Sequence, residues 1–151
     1  MAITTELKVP GSLQVEHNEL HEELGKAMQE SGRVGEAARS VERVLHQHFE
    51  KEEEYALPPL GLLQALVRGD PLPDANRAFE MAERLKSDLS GMLDEHKAVV
   101  AELKNLADVA NAEGRPEYVR FAERLMLHAR TEEEVLYPAV ILIGEYLKLK
   151  R

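Results

Sequence analysis

The chain has 151 residues, a formal net charge of −9, 44% hydrophobic and 5% aromatic residues, and no cysteine. This length suits one domain with a buried core, whereas the acidic surface repels nucleic acid and anionic membranes, and the missing cysteines exclude disulfides and thiolate metal ligands. The sequence has neither a signal-peptide pattern nor an apolar run of membrane-spanning length, so we expect a cytoplasmic protein without nucleic-acid or membrane partners.

The first half of the sequence predicts two long helices and a short one. After a loose arm of about ten residues, apolar positions at helical spacing indicate a first helix with His17 on its inward face. The second helix has His48 and Glu52 on its inward face, and it stops before Pro58 because proline cannot continue a helix interior. The apolar segment 60–68 is predicted to form the short helix.

The second half predicts the same order of elements. A long third helix begins at about Asp74 and has His96 on its apolar face. Pro116 suits the first position of a fourth helix, whose inward face includes His128 and Glu132.

These elements predict an all-α protein with an antiparallel up-down-up-down four-helix bundle. No stretch shows the alternation of a half-buried strand, and the turns at the first and third joints are short. Each half ends in a proline followed by a short apolar segment, so extra helical segments are expected after helices 2 and 4. The predicted boundaries are 1–151 for the single domain, about 12–138 for the bundle core and 139–151 for the C-terminal segment.

The two halves form an internal repeat that brings six polar residues to one level. His17 and His96 are 79 residues apart, and His48 and His128 are 80 residues apart. At about 1.5 Å of rise per residue, all four histidines lie roughly 18 to 22 Å from their hairpin turns. Each of the second and fourth helices adds a glutamate four residues after its histidine, on the same face. The predicted metal ligands are His17, His48, Glu52, His96, His128 and Glu132.

A layer of six ionisable side chains in a helical core indicates a metal site. Such groups are very costly to bury without compensation, and a cation supplies it. Imidazole suits iron, zinc, copper and nickel, and carboxylates favour harder ions. We expect both glutamates to bridge two metals, with His17 and His48 on one metal and His96 and His128 on the other. This arrangement leaves coordination positions open for a small molecule.

The ligand pattern resembles the hemerythrin-like family, also called the HHE cation-binding domain, over residues 12–138. The family implies a four-helix bundle around a non-haem di-iron centre with an oxo or hydroxo bridge. It also implies reversible O2 binding, the sensing or handling of O2, NO or peroxide, or iron storage, with a small diatomic ligand or peroxide as partner. The resemblance rests on Glu16-His17, His48-Phe49-x-x-Glu52-Glu53, Glu95-His96 and His128-x-x-x-Glu132-Glu133-x-x-Leu136-Tyr137-Pro138.

Two positions depart from the pattern of oxygen-carrying hemerythrins. Those proteins have a second histidine four residues after the one that matches His96, where this chain has Val100. Their last carboxylate is an aspartate five residues after its histidine, whereas Glu132 follows His128 by four. The site is therefore poorer in nitrogen. We expect the site to react with peroxide or oxygen, or to hold iron less tightly, rather than to bind and release O2 reversibly as a simple carrier does.

Three functions are compatible with the sequence. The first is a di-iron protein that binds or reacts with O2, NO or peroxide, the second is a metal-storage or buffering protein, and the third is a metal-free helical interaction module. Zinc and manganese are alternatives to iron. No substrate pocket can be read from the sequence, so no enzyme class is predicted. A homodimer through the short apolar segments is a further expectation.

Five other polar or aromatic side chains have a weaker claim to the site. His46 has polar neighbours and is predicted to lie on the surface. His21, one turn from His17, is expected to pack rather than to act as an extra ligand. Glu53 and Glu133 are expected in solvent, with the orientation of an imidazole as the alternative. Tyr137 is expected in the core or at its rim.

Overall fold

The computed structural model describes residues 6–72 and 74–151, and no strand occurs among them. The four long helices of the predicted bundle are present, which confirms the all-α fold. They are α1 (Gly11–Met28), α2 (Arg33–Lys51), α4 (Ala75–Ala112) and α5 (Pro116–Thr131), and the two short helices are α3 (Leu63–Arg68) and α6 (Tyr137–Leu149).

Two hydrophobic cores divide the molecule along the 38-residue helix α4. The C-terminal half of α4, from Val99 onward, packs with α1, α2 and α5 in the bundle core. Its N-terminal half, up to Met92, packs with α6 and with the segment 55–62 in a second core. His96 lies between Met92 and Val99 on α4. The predicted polar layer therefore lies at the junction of the two cores.

The two helical hairpins are joined at their turn ends. Gly32 and Gly114 adopt positive φ values of 78° and 70°, which glycine reaches at little steric cost. Arg115, just before α5, donates two hydrogen bonds of 2.9 and 2.7 Å to the carboxylate of Glu30, just after α1. The Arg115 and Tyr118 hydrogen bonds lower the pKa of Glu30 to about 2. This contact fixes the level of one hairpin relative to the other.

A π-helical turn follows α2 and another follows α5, and neither was predicted from the sequence. They span Glu52–Ala56 and Glu132–Leu136, and each begins at a predicted metal ligand. After the first turn the chain forms a 3₁₀ helix, Pro58–Leu62, and then α3. After the second it enters α6 directly, with Pro138 in the first turn, where its missing N–H is no loss.

Residues 6–10 are not the loose arm that was predicted, and the remainder of that arm, residues 1–5, lies outside the described part of the chain. Val9 is buried in the second core. The arm passes so close to the 3₁₀ helix that a Cβ atom on Gly61 would lie 2.3 Å from the carbonyl oxygen of Lys8. Glycine at position 61 therefore permits this approach.

The short helices leave apolar side chains in solvent. Val67 on α3 is 85% exposed, and on α6 Leu142 is 68% and Leu149 is 83% exposed. The homodimer that was expected through these segments stays a prediction, as do the domain boundaries. None of the described helices is long and apolar enough to cross a membrane.

Candidate metal centre

The six predicted ligands converge in one buried layer. All four histidines and both glutamates are between 0% and 6% exposed. His17 and His96 come from the middles of α1 and α4, and His48 and His128 from the last turns of α2 and α5. Glu52 and Glu132 are the first residues of the two π turns. The role of these six residues as metal ligands stays a prediction, but their side chains meet in one layer, as the repeat predicted.

The histidines pair across the hairpins rather than within them. His48 Nε2 lies 2.8 Å from His96 Nε2, and His17 Nε2 lies 3.0 Å from His128 Nε2. The predicted pairing of His17 with His48 and of His96 with His128 is therefore wrong. In the folded bundle the imidazole of His48 contacts α4 and that of His17 contacts α5, which helical phase alone does not determine. We call these pairs the 48/96 half and the 17/128 half.

Each carboxylate faces both halves, as expected for bridging groups. Glu132 Oε1 lies 3.1 Å from His96 Nε2, and Glu132 Oε2 lies 3.1 Å from His128 Nε2. Glu52 Oε2 lies 3.6 Å from His48 Nε2, and Glu52 Oε1 lies 4.0 Å from His17 Nε2. The ligand atoms of His48, Glu52, His96 and Glu132 all lie within 4.8 Å of one another, as do those of His17, His128 and Glu132.

A second set of carboxylates orients three of the imidazoles. Glu95 accepts a 2.8 Å hydrogen bond from His48 Nδ1, and Glu133 accepts one of 2.8 Å from His96 Nδ1. Glu16 contacts His128 Nδ1 in the same way. In a neutral imidazole, a proton held on Nδ1 leaves the Nε2 lone pair directed at the centre of the layer, where a cation can accept it.

The repeat contained a signal for these orienting carboxylates. Glu16 and Glu95 directly precede the two mid-helix histidines, so each is turned about 100° away, toward the neighbouring helix. Glu133 takes the orienting role that was the less favoured alternative for it, and Glu53 is exposed as expected.

Tyr137 enters the 48/96 half, although the sequence predicted only a residue in the core or at its rim for this position. Its hydroxyl donates a 2.7 Å hydrogen bond to Glu52 Oε2 and lies 3.1 Å from His48 Nε2 and 3.2 Å from His96 Nε2. The residue 80 positions earlier in the repeat is Leu57, which has no polar group. The two halves therefore differ in their chemistry.

A family model described as the hemerythrin HHE cation-binding domain matches residues 11–140. The chain belongs to this family. No curated protein and no solved structure matches the chain significantly. The family match and the buried clusters of histidine and glutamate together identify this HHE domain as a metal-binding protein.

Without metal, the ionisable side chains of the HHE site shift one another's pKa values. Burial lowers the pKa values of His48 and His128, but the nearby Glu52 and Glu132 outweigh it and raise both to about 9. Burial and the charge of Glu132 raise the pKa of Glu52 to about 7. Burial also raises the pKa of Glu132, yet its contacts with Glu52 and the histidines bring it well below the usual value. The pKa of Tyr137 is raised by burial and by both carboxylates.

The remaining histidines lie outside the HHE site, as predicted. The side chain of His46 is 61% exposed and pairs with Glu42 and Glu50 on its own helix. The ring of His21 packs on Phe49 at 4.4 Å between ring centroids, and partial burial lowers its pKa.

The residues present fit a cation. Three buried polar atoms have no hydrogen-bond partner among the described residues: His17 Nδ1, Glu52 Oε1 and Glu132 Oε2. Each such atom costs about 1–3 kcal/mol when left unpaired. Two of the three are carboxylate oxygens that face the centre, beside the Nε2 atoms of the imidazoles. A cation between these donors would satisfy the carboxylates and take the place of the protons that the imidazoles hold in the metal-free protein.

Proposed function

We propose that this chain is a cytoplasmic non-haem di-iron protein that binds or reacts with O2, NO or peroxide as a sensor, scavenger or carrier. The observation that carries the proposal is the division of one buried layer into two imidazole pairs, with both carboxylates facing both pairs. One ion per half is the simplest occupancy of such a layer.

The residues that would hold the ions follow from the two halves. His48 and His96 would hold one ion, His17 and His128 the other, and Glu52 and Glu132 would be shared. Nitrogen donors with hard carboxylate oxygens suit iron, and they also accept zinc or manganese. The phenol oxygen of Tyr137 adds a further oxygen atom to the 48/96 half, 3.2 Å from His96 Nε2.

The protein's own residues prepare the layer for reactive chemistry. Iron ions held there would supply open coordination positions and redox electrons. Glu16, Glu95 and Glu133 hold the protons on three Nδ1 atoms and so keep the inward nitrogens free. The apolar cores on both sides exclude water from the layer. The Tyr137 hydroxyl, hydrogen-bonded to Glu52, can hold or donate a proton at the 48/96 half.

The proposal is tested by metal analysis together with absorption spectroscopy. Protein purified without oxygen should contain about two iron ions per chain and should develop a visible charge-transfer band on exposure to air, NO or peroxide. Tightly bound metal without any spectral response to these molecules would contradict the proposal and would support the storage function instead. Unchanged stability after complete chelation would support the metal-free interaction module.

A matched set of variants tests the ligand assignment. Glu52→Ala and His128→Ala should each lower the metal content and the metal-dependent melting temperature together, because each removes a donor. His46→Ala is the control, since His46 and Glu50 form the same four-residue pair on the exposed face of α2. Full metal occupancy in both site variants would refute the assignment.

A further inference from the structure

A groove between α1 and α5 opens onto the 17/128 half. It encloses about 230 Å³, and four of its eight lining side chains are leucines, with Glu16 and His128 among the others. His128 is 6% exposed, the highest value among the six site residues. The apolar lining residues are Leu13, Leu20, Leu127 and Leu136.

The equivalent seam between α2 and α4 is bridged by a charged side chain. Lys51, the last residue of α2, places its ammonium 2.5 Å from Glu95, which is only 27% exposed. The last residue of α5, 80 positions later, is Thr131, and its hydroxyl turns back to the Leu127 carbonyl of its own helix at 3.0 Å. Glu16, the counterpart of Glu95, therefore has no lysine from α5 and is 46% exposed.

The 48/96 half also differs from the 17/128 half on its inner side. The Tyr137 hydroxyl lies within 3.2 Å of both imidazoles in that half. Its counterpart Leu57 is fully buried among apolar residues of the second core. The Lys51 bridge and the Tyr137 hydroxyl thus both occupy the same half, and the groove lies beside the other.

We propose that small ligands reach the centre through this groove and bind at the 17/128 half. The inference rests on the proposed function and adds the route and the half of the site that is used. The four leucines of the lining suit an uncharged or singly charged molecule of two or three heavy atoms. Arg124, another lining residue, donates a 2.7 Å hydrogen bond to Glu23.

The first experiment measures access to the groove in metal-free protein. The native chain has no cysteine, so a single introduced thiol reports one position. Leu20→Cys places a thiol in the groove, and Val99→Cys places one at the counterpart position 79 residues later. Both native side chains are at most 2% exposed, so exposure alone does not favour either. We expect methyl methanethiosulfonate to label Leu20→Cys about tenfold faster or more, since Val99→Cys reacts only through local opening.

The second experiment closes the groove in metal-loaded protein. Thr131→Lys introduces the residue that bridges the other seam, and Thr131→Val is the control that keeps the groove open. Thr131→Lys should slow azide binding, followed by stopped-flow absorption, about tenfold or more without changing the iron content. Leu127→Trp tests the same closure at the groove rim, with Gln47→Trp as its counterpart on α2, in case the lysine variant does not fold.

The outcomes separate the route from the proposed function. Equal labelling of the two thiols, or azide rates that neither Thr131→Lys nor Leu127→Trp lowers, would overturn the proposed route. A wild-type protein that binds no iron or gives no azide spectrum would overturn the proposed function, and with it the role of the groove. Slower labelling of Leu20→Cys in the Thr131→Lys background, together with slower azide binding, would support the route.

Discussion

Three of the four imidazoles have a carboxylate on Nδ1, and His17 does not. By the repeat, Glu53 should serve His17 as Glu133 serves His96, but Glu53 is exposed, and the buried His17 Nδ1 has no hydrogen-bond partner within residues 6–72 and 74–151. Phe49 packs on the His17 ring at 5.0 Å between centroids, so apolar contact rather than a hydrogen bond orients this ring. The two glutamates that follow the bridging positions are therefore not equivalent.

This difference predicts unequal effects of two matched substitutions. Glu133→Gln should weaken metal binding about 10- to 100-fold, because the loss of an orienting carboxylate lowers the basicity of its imidazole. Glu53→Gln should leave the metal affinity unchanged, because its side chain contacts no ligand. Competition with a chelator of known affinity measures both. Equal effects of the two substitutions would show that charge near the site, rather than the contact with His96, is responsible.

Tyr137 allows a separate test of the metal-free layer. Tyr137→Phe removes the only hydroxyl that donates to Glu52 among the described residues, so the metal-free protein should lose about 1–3 kcal/mol of stability. The metal-bound protein should lose less, since a cation then satisfies the same carboxylate. Urea unfolding of both forms measures the difference. Tyr55→Phe is the control, because its hydrogen bond of 2.8 Å to the exposed Asp88 should cost less and should not depend on metal.

At the level of elements, the close packing of α6 on α4 supports the position of Tyr137. Gly144 on α6 faces Ala82 on α4, and a Cβ atom at position 144 would lie 2.6 Å from the Cβ of Ala82. The absence of a side chain at Gly144 thus lets the two helices approach. Since Tyr137 is the first residue of α6, a displacement of this helix would also move the Tyr137 hydroxyl.

We therefore expect Gly144→Ala to destabilise the protein by about 1–2 kcal/mol, despite the higher helix propensity of alanine. Gly91→Ala is the matched control on α4, where no atom lies within 4 Å of the added Cβ, and it should be neutral or stabilising. The double variant with Ala82→Gly should lose less stability than the sum of the two single changes. Thermal unfolding measures all four proteins, and strict additivity would contradict the contact.

Helical phase and the repeat predicted which side chains form the layer, because positions i and i+4 share a face whatever the tertiary fold. They did not predict which histidines pair, because that depends on how the hairpins turn against each other. The π turns at Glu52 and Glu132 were also missed, since their five-residue segments contain neither glycine nor proline. Tyr137 lies beyond one of these turns, and the extra residue per turn shifts its direction from that expected for an unbroken α-helix.

At the scale of the whole molecule, the polar layer is a charged junction between two apolar cores. Its six ionisable groups must be neutralised by one another when no metal is bound, so their titration affects folding. His48 and His128 have pKa values raised to about 9 from 6.5, and Glu52 has a value raised to about 7 from 4.5. In each case the folded metal-free protein binds the proton more tightly than the unfolded chain does.

This sign predicts the pH dependence of the metal-free protein. The stabilisation from protonated His48 and His128 is fully present below pH 6.5 and is lost as the pH rises through about 9. Glu52 acts in the same direction between pH 4.5 and about 7. At about 1.4 kcal/mol per pKa unit, the metal-free protein should lose at least about 2 kcal/mol between pH 6.5 and 9. Urea unfolding at fixed ionic strength measures this loss.

Bound metal should reverse this loss of stability at rising pH, because a cation binds the deprotonated imidazoles and releases their protons. The difference in melting temperature between metal-bound and metal-free protein should therefore grow steadily from pH 6.5 to 9, over the range in which His48 and His128 titrate. His46→Ala should leave the difference unchanged, since this exposed histidine lies outside the layer. His128→Gln should flatten it, because one of the two titrating imidazoles is gone. Parallel pH profiles for the two forms of the native chain would mean that the cation does not displace protons from these residues, and the ligand assignment would fail with them.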